Sequence, residues 1–122
     1  SGVCPQPRNT KKAPEDFLAM TNPLPQTPAT ASSGATLFQK TAQPMACATC
    51  HGERGDGQGL MSAVLQPSPR NFTCSQTMKD LPDGQLFWVI KNGSPGTGMM
   101  SFAGLPDDEV WQLIHYIRSL AK

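Results

Sequence analysis

Cys47, Ala48, Thr49, Cys50 and His51 set two thiols three positions apart, with an imidazole directly after the second. Two thiols at that spacing can each add to one of the two vinyl groups of a haem. The adjacent imidazole then falls beneath the iron and ligates it, and C-x-x-C-H is the sequence signature of such attachment. An axial histidine leaves one coordination position open, and what fills it decides between electron transfer, gas binding and peroxide chemistry. The same five residues fit two other chemistries. A redox dithiol would want a βαβ context, and none is visible. A zinc site would need two more nitrogen or sulfur ligands at finger-like spacing, whereas Cys4, Cys74 and His115 lie far away in sequence.

At 122 residues the chain has the length of one domain. Hydrophobic residues make up only 38%, and 12 Pro and 11 Gly accompany them, so loop is abundant and the core modest. A large, flat, apolar cofactor at the centre would complete such a core. The formal charge of +1 excludes a strong general field for nucleic acid or an anionic membrane. Haem propionates would bring the protein closer to neutral, so docking should rest on local patches and shape. No stretch approaches the ~20 consecutive apolar residues of a membrane span. There is no leading Met or signal-peptide pattern, and Ser1 looks like the start of a processed or trimmed chain.

Residues 1–33 differ from the remainder. Pro5, Pro7, Pro14, Pro23, Pro25 and Pro28 break any long helix. A helical turn can start at Pro14, with Glu15 and Asp16 at its positive end and Phe17, Leu18 and Met20 as an apolar face. The segment is either a disordered tether or an ordered arm wrapped on the domain. With two of the four Cys assigned to haem, Cys4 and Cys74 remain, and in an oxidising compartment they should pair. A free thiol, or a Cys4 near a lipid-attachment site in the precursor, is the alternative.

Ser32 and Ser33 can cap a helix from about Gly34 to Ala42, with Leu37, Phe38 and Thr41 on one face. Gly52 to Gly59 is too glycine-rich for helix or strand, and it lacks the lysine of a phosphate-binding loop. A short helix over Leu60–Leu65 and an extended run from Gln66 to Phe72 follow. The next helix opens at Leu81-Pro82-Asp83-Gly84 and stops at Gly93. The last begins at Pro106 and carries Val110, Leu113, Ile114, Ile117 and Leu120 at helical periodicity.

In order and spacing, these pieces resemble the class I c-type cytochromes over about residues 34–121. The resemblance rests on Gly34-Ala35-Thr36-Leu37-Phe38 ahead of Cys47-Ala48-Thr49-Cys50-His51-Gly52, and on the loop Gly55-Asp56-Gly57-Gln58-Gly59. It rests also on Asp83 to Gly93 leading into Gly96-Thr97-Gly98-Met99, and on the closing run Asp108 to Arg118. It is nearest to bacterial single-haem cytochromes and the cytochrome domains that partner periplasmic oxidoreductases. The fold implied is all-α, with three main helices and shorter ones around one covalently bound haem. A Pro-rich extension would cover residues 1–33 and the cytochrome c domain 34–122. Gly34, Phe38 and Tyr116 match the family's helix-crossing positions.

The family places its distal methionine in a Gly-Thr-x-Met-Pro pattern followed by an aromatic. Here that register implies Met99 as ligand and Phe102 as aromatic, with Met100 where proline is usual, so Met100 is the competitor. The resemblance thus implies haem c bound by Cys47, Cys50, His51 and Met99, with His51 and Met99 on the iron. A downstream proline carbonyl, Pro67 or Pro69, would receive the other ring N–H of His51. Arg70, Asn71 and Trp88 could meet the propionates. Met20, Met45, Met61 and Met78 are expected to fill gaps in the core, and His115 to sit at a solvent edge of the last helix.

The function implied is an electron carrier rather than an enzyme, exported to the bacterial periplasm and monomeric in isolation. Its redox partners would be a periplasmic dehydrogenase or oxidase, or a membrane electron-transport complex, with no nucleic acid involved. The alternatives are a haem peroxidase or gas sensor with a labile methionine, or a permanently docked subunit of a larger oxidoreductase.

Overall fold

The computed structural model describes residues 3–6 and 10–122. Every regular element among the described residues is helical, with no strand. The α-helices are α1 (Glu15–Leu18), α2 (Pro28–Thr36), α3 (Ala48–His51), α4 (Ser75–Met78), α5 (Asp83–Asn92) and α6 (Asp107–Ser119). A π-helical turn, Leu37–Thr41, prolongs α2, and a 3-10 turn covers Ser62–Val64.

α2 starts at Pro28 rather than Gly34. Thr27 supplies the cap: its hydroxyl accepts from Thr30 N at 3.2 Å, while Thr27 N donates to Thr30 Oγ1 at 3.1 Å. This reciprocal arrangement is the capping-box solution to orphan amides, and Pro28 takes the first helical position, where its missing N–H costs nothing. Ser32 and Ser33, expected as caps, lie inside the helix.

α6 supplies the largest share of the core of any one helix. Val110, Leu113 and Ile114 are fully buried, and Trp111 and Ile117 nearly so. α2 crosses α6 most closely at Gly34, where an added Cβ would run into the carbonyl oxygen of Gln112 and lie 2.8 Å from Tyr116 Cβ. Phe38 then reaches the Tyr116 ring at 5.2 Å. A rigid backbone oxygen cannot step aside as a side-chain tip can. Gly34→Ala is therefore expected to destabilise by about 1–3 kcal/mol, the range for overpacking. Thermal denaturation checks this, and an unchanged midpoint would rule out so close a crossing.

α5 lies across the other side of α6, with Phe87 stacked on Trp111 at 4.4 Å. Arg118 fastens the two helices. Its guanidinium donates to Asp83 Oδ1 at 2.8 Å, to Met78 O at 2.8 Å and to Leu81 O.

The described part of the N-terminal segment is the ordered arm, not the tether. Asn71 N donates to Gln6 Oε1 at 2.7 Å, Asn71 Nδ2 donates to Val3 O at 3.1 Å, and Gln6 Nε2 donates to Pro69 O at 3.0 Å. Cys4 and Cys74 stand at disulfide distance, with Cα atoms 5.5 Å apart. Further along, Phe17 of α1 stacks on Phe87 at 6.3 Å, and Asn22 Nδ2 donates to Trp111 O at 3.0 Å. Pro7 lies outside the described residues. His115 is not at a solvent edge: it is 6% exposed, and its Nε2 bonds Leu24 O at 2.7 Å.

Candidate functional site

α3 is a single turn built for the five-residue motif. His51 N donates back to Cys47 O at 2.9 Å, and Cys50 N reaches the same carbonyl at 3.2 Å. One turn therefore carries Cys47, Cys50 and His51 on one side, at the i, i+3 and i+4 positions. Such a turn would be marginal alone. The glycine-rich loop steadies it: Gly57 N donates to His51 O at 2.8 Å, Gly59 N to Cys50 O at 3.0 Å, and Met61 N to Thr49 O at 3.0 Å. The carbonyls a helix end leaves orphaned are thereby satisfied.

The turn faces a largely apolar cavity of about 1110 Å3, its open mouth included. Cys47, Cys50, His51, Met99 and Met100 all line it, as do Leu86, Val89 and Ile90 of α5. Ser94 N donates to Met99 O at 3.1 Å, Thr97 Oγ1 to Ser94 O at 2.7 Å, and Phe102 N to Ile90 O at 2.9 Å. These bonds pin both ends of the methionine loop.

The His51 ring is held from two directions. Its Nδ1 lies 3.0 Å from Arg70 O, and its face stacks on Phe72 at 4.4 Å. A carbonyl only accepts, so Nδ1–H is the donor, and in the neutral ring Nε2 is the nitrogen whose lone pair a metal would take. The carbonyl is that of Arg70, not of Pro67 or Pro69. Pro69 O is engaged instead by Gln6 Nε2 from the arm.

The two rival chemistries lose ground. Burial pushes the Cys47 thiol up to about 12, with backbone hydrogen bonding opposing it, and raises Cys50 also. A reactive dithiol needs the opposite shift. No group of three or more His, Cys, Asp or Glu among the described residues could hold a metal ion, so zinc lacks its donor set.

Of the propionate candidates, only Arg70 lines the cavity. Asn71 is 1% exposed and holds the arm, and Trp88 is not on the lining. Met78 fills the core and Met20 packs beside it, as expected, while Met45 lines the cavity and Met61 is 41% exposed. Thr10, Leu65 and Gln85 are lining residues that no motif announced.

An apolar cavity flanked by two thiols, a histidine of fixed tautomer and thioether sulfurs fits a haem. Residues 29–117 match the model of the family described as cytochrome c oxidase, cbb3-type, subunit III. The chain belongs to this cytochrome c family. As a cytochrome c-type domain it is an electron-transfer domain, and its cofactor is haem. This cytochrome is also similar to a chain of the Kuenenia stuttgartiensis reducing HAO-like protein complex. The TM-score is 0.72 and the identity 28%, over 86% of this cytochrome and 49% of that chain. The cytochrome thus spans about half the length of the structure it matches.

Proposed function

We propose that this cytochrome carries single electrons between redox proteins through one haem c held covalently by Cys47 and Cys50. His51 and Met99 are its iron ligands. The observation that carries the reading is the meeting of a C-x-x-C-H turn and a pinned methionine loop on one apolar cavity. A bound haem supplies the Fe(III)/Fe(II) couple. Arg70 O orients His51 and selects the tautomer whose Nε2 lone pair would face the iron. α5 excludes water from one wall, and the methionine loop presents a thioether, which favours the ferrous state over a second imidazole. Met99 is preferred over Met100 on the register of the Gly-Thr-x-Met pattern.

An exported, periplasmic location agrees with this chemistry, because thioether attachment and an oxidised Cys4–Cys74 pair both belong outside the cytoplasm. The partners are redox proteins of that compartment. A peroxidase would want a distal His/Arg pair, and His51 is the sole histidine among the described lining residues. A permanently docked subunit is the second reading, favoured by the similarity to a chain of a multi-protein complex.

The test is a spectrum with a potential titration. Colour that stays with the denatured chain, together with a low-spin ferric form showing the sulfur-to-iron charge-transfer band, is expected. Colour lost on denaturation would remove the thioether assignment, and a high-spin ferric form would favour an enzyme. Stoichiometric co-purification with a dehydrogenase or oxidase would favour the docked subunit.

A further inference from the structure

Gln85, in the first turn of α5, is 6% exposed and lies on the cavity wall. Both ends of its amide are taken by the backbone of one short segment of the arm. Oε1 accepts from Ala13 N at 2.7 Å, and Nε2 donates to Lys11 O at 2.9 Å. A buried carboxamide costs free energy unless both ends are bonded, and the arm bonds both. The segment is held on either side. Thr10 lines the cavity and accepts from Arg70 Nη2 at 2.9 Å. Beyond Ala13, itself buried, α1 rests on Gly84, where an added Cβ would strike Phe17 O. Arg70, the partner of Thr10, is also the residue whose carbonyl holds His51.

We infer that the arm segment 10–13 is part of the wall of the haem cavity, and that Gln85 is a positioning residue tuning the reduction potential through it. This rests on the haem-binding reading above. Solvent access is one of the levers on a metal site's potential. A wall held shut keeps water from the cavity, and a drier cavity disfavours the more highly charged ferric form. Loosening it should therefore lower the potential without changing the iron's ligands.

The experiment uses the haem-loaded full chain and Gln85→Met, which keeps the side-chain bulk and removes both bonds to the arm. Hydrogen exchange at the Ala13 amide is expected to lose about tenfold in protection, the worth of one buried hydrogen bond. The midpoint potential is expected to fall while the low-spin spectrum stays as in the wild type. Thr10→Val, which removes the acceptor for Arg70, should move the potential in the same direction, and it carries the test if Gln85→Met does not fold. Faster exchange with an unmoved potential would make Gln85 a structural clamp only and overturn the proposal. Unaltered exchange would overturn the clamp itself. A wild-type protein without haem would instead sink the underlying functional reading.

Discussion

Met99→Ala is expected to keep its covalently bound colour while the ferric iron turns high-spin and open to added cyanide or imidazole. The proposed thioethers at Cys47 and Cys50 and the proposed ligand His51 would all sit on or at the start of α3, which the glycine loop braces independently of the methionine loop. Loss of the Met99 side chain should therefore remove a ligand without releasing the cofactor. The loop itself should persist, because Thr97 Oγ1, Ser94 N and Phe102 N bond to backbone atoms that the substitution leaves in place. Loss of sulfur ligation should also lower the potential, since a thioether favours the ferrous state. Met100→Ala serves as the comparison and should stay low-spin. If the two variants exchange behaviours, the ligand is Met100, which lines the same cavity.

Replacement of Cys4 and Cys74 by serine should lower stability by roughly 4 kcal/mol, the chain-entropy value for a loop of this size, and leave the visible spectrum untouched. The two residues are separated by 70 positions, so a crosslink between them would confine a large part of the unfolded ensemble. For a chain of this length the loss corresponds to a fall on the order of 10–20 °C in Tm. Melting curves with and without reductant measure it, and reductant should move the wild type toward the double variant. A denatured, unreduced wild type with one or more titratable thiols would contradict the pairing. The native bonds of Gln6 and Asn71 beside the crosslink should keep this end of the arm placed even when the sulfurs are reduced.

How much of this could be seen in the bare chain depended on the range of the interactions involved. The last helix was plain because Val110, Leu113, Ile114 and Ile117 recur at helical spacing, and all four are buried. The C-x-x-C-H motif was plain because its spacing is local to five residues. α2 was misplaced because its cap, Thr27 with Thr30, is made of the residue types that also fill loops, and it sits among prolines. His115 was misjudged because its partner, Leu24 O, is 91 positions away and belongs to a backbone. The carbonyl that orients His51 was assigned to a proline for a related reason: a backbone oxygen leaves no mark in the residue types. Residue type alone puts Met61 in the core. Its neighbours Leu60 and Val64, at 94% and 74% exposed, show that this stretch faces outward.

The grip on His51 bears on speed as well as on affinity. Its ring is fixed by Arg70 O at one edge and Phe72 on one face, and its backbone is tied to Cys47 and Gly57. As the proposed iron ligand, a donor so confined would have little room to drift when the charge beside it changes by one. The nuclear rearrangement that accompanies each oxidation and reduction should then be small, and self-exchange between two copies should depend only shallowly on temperature.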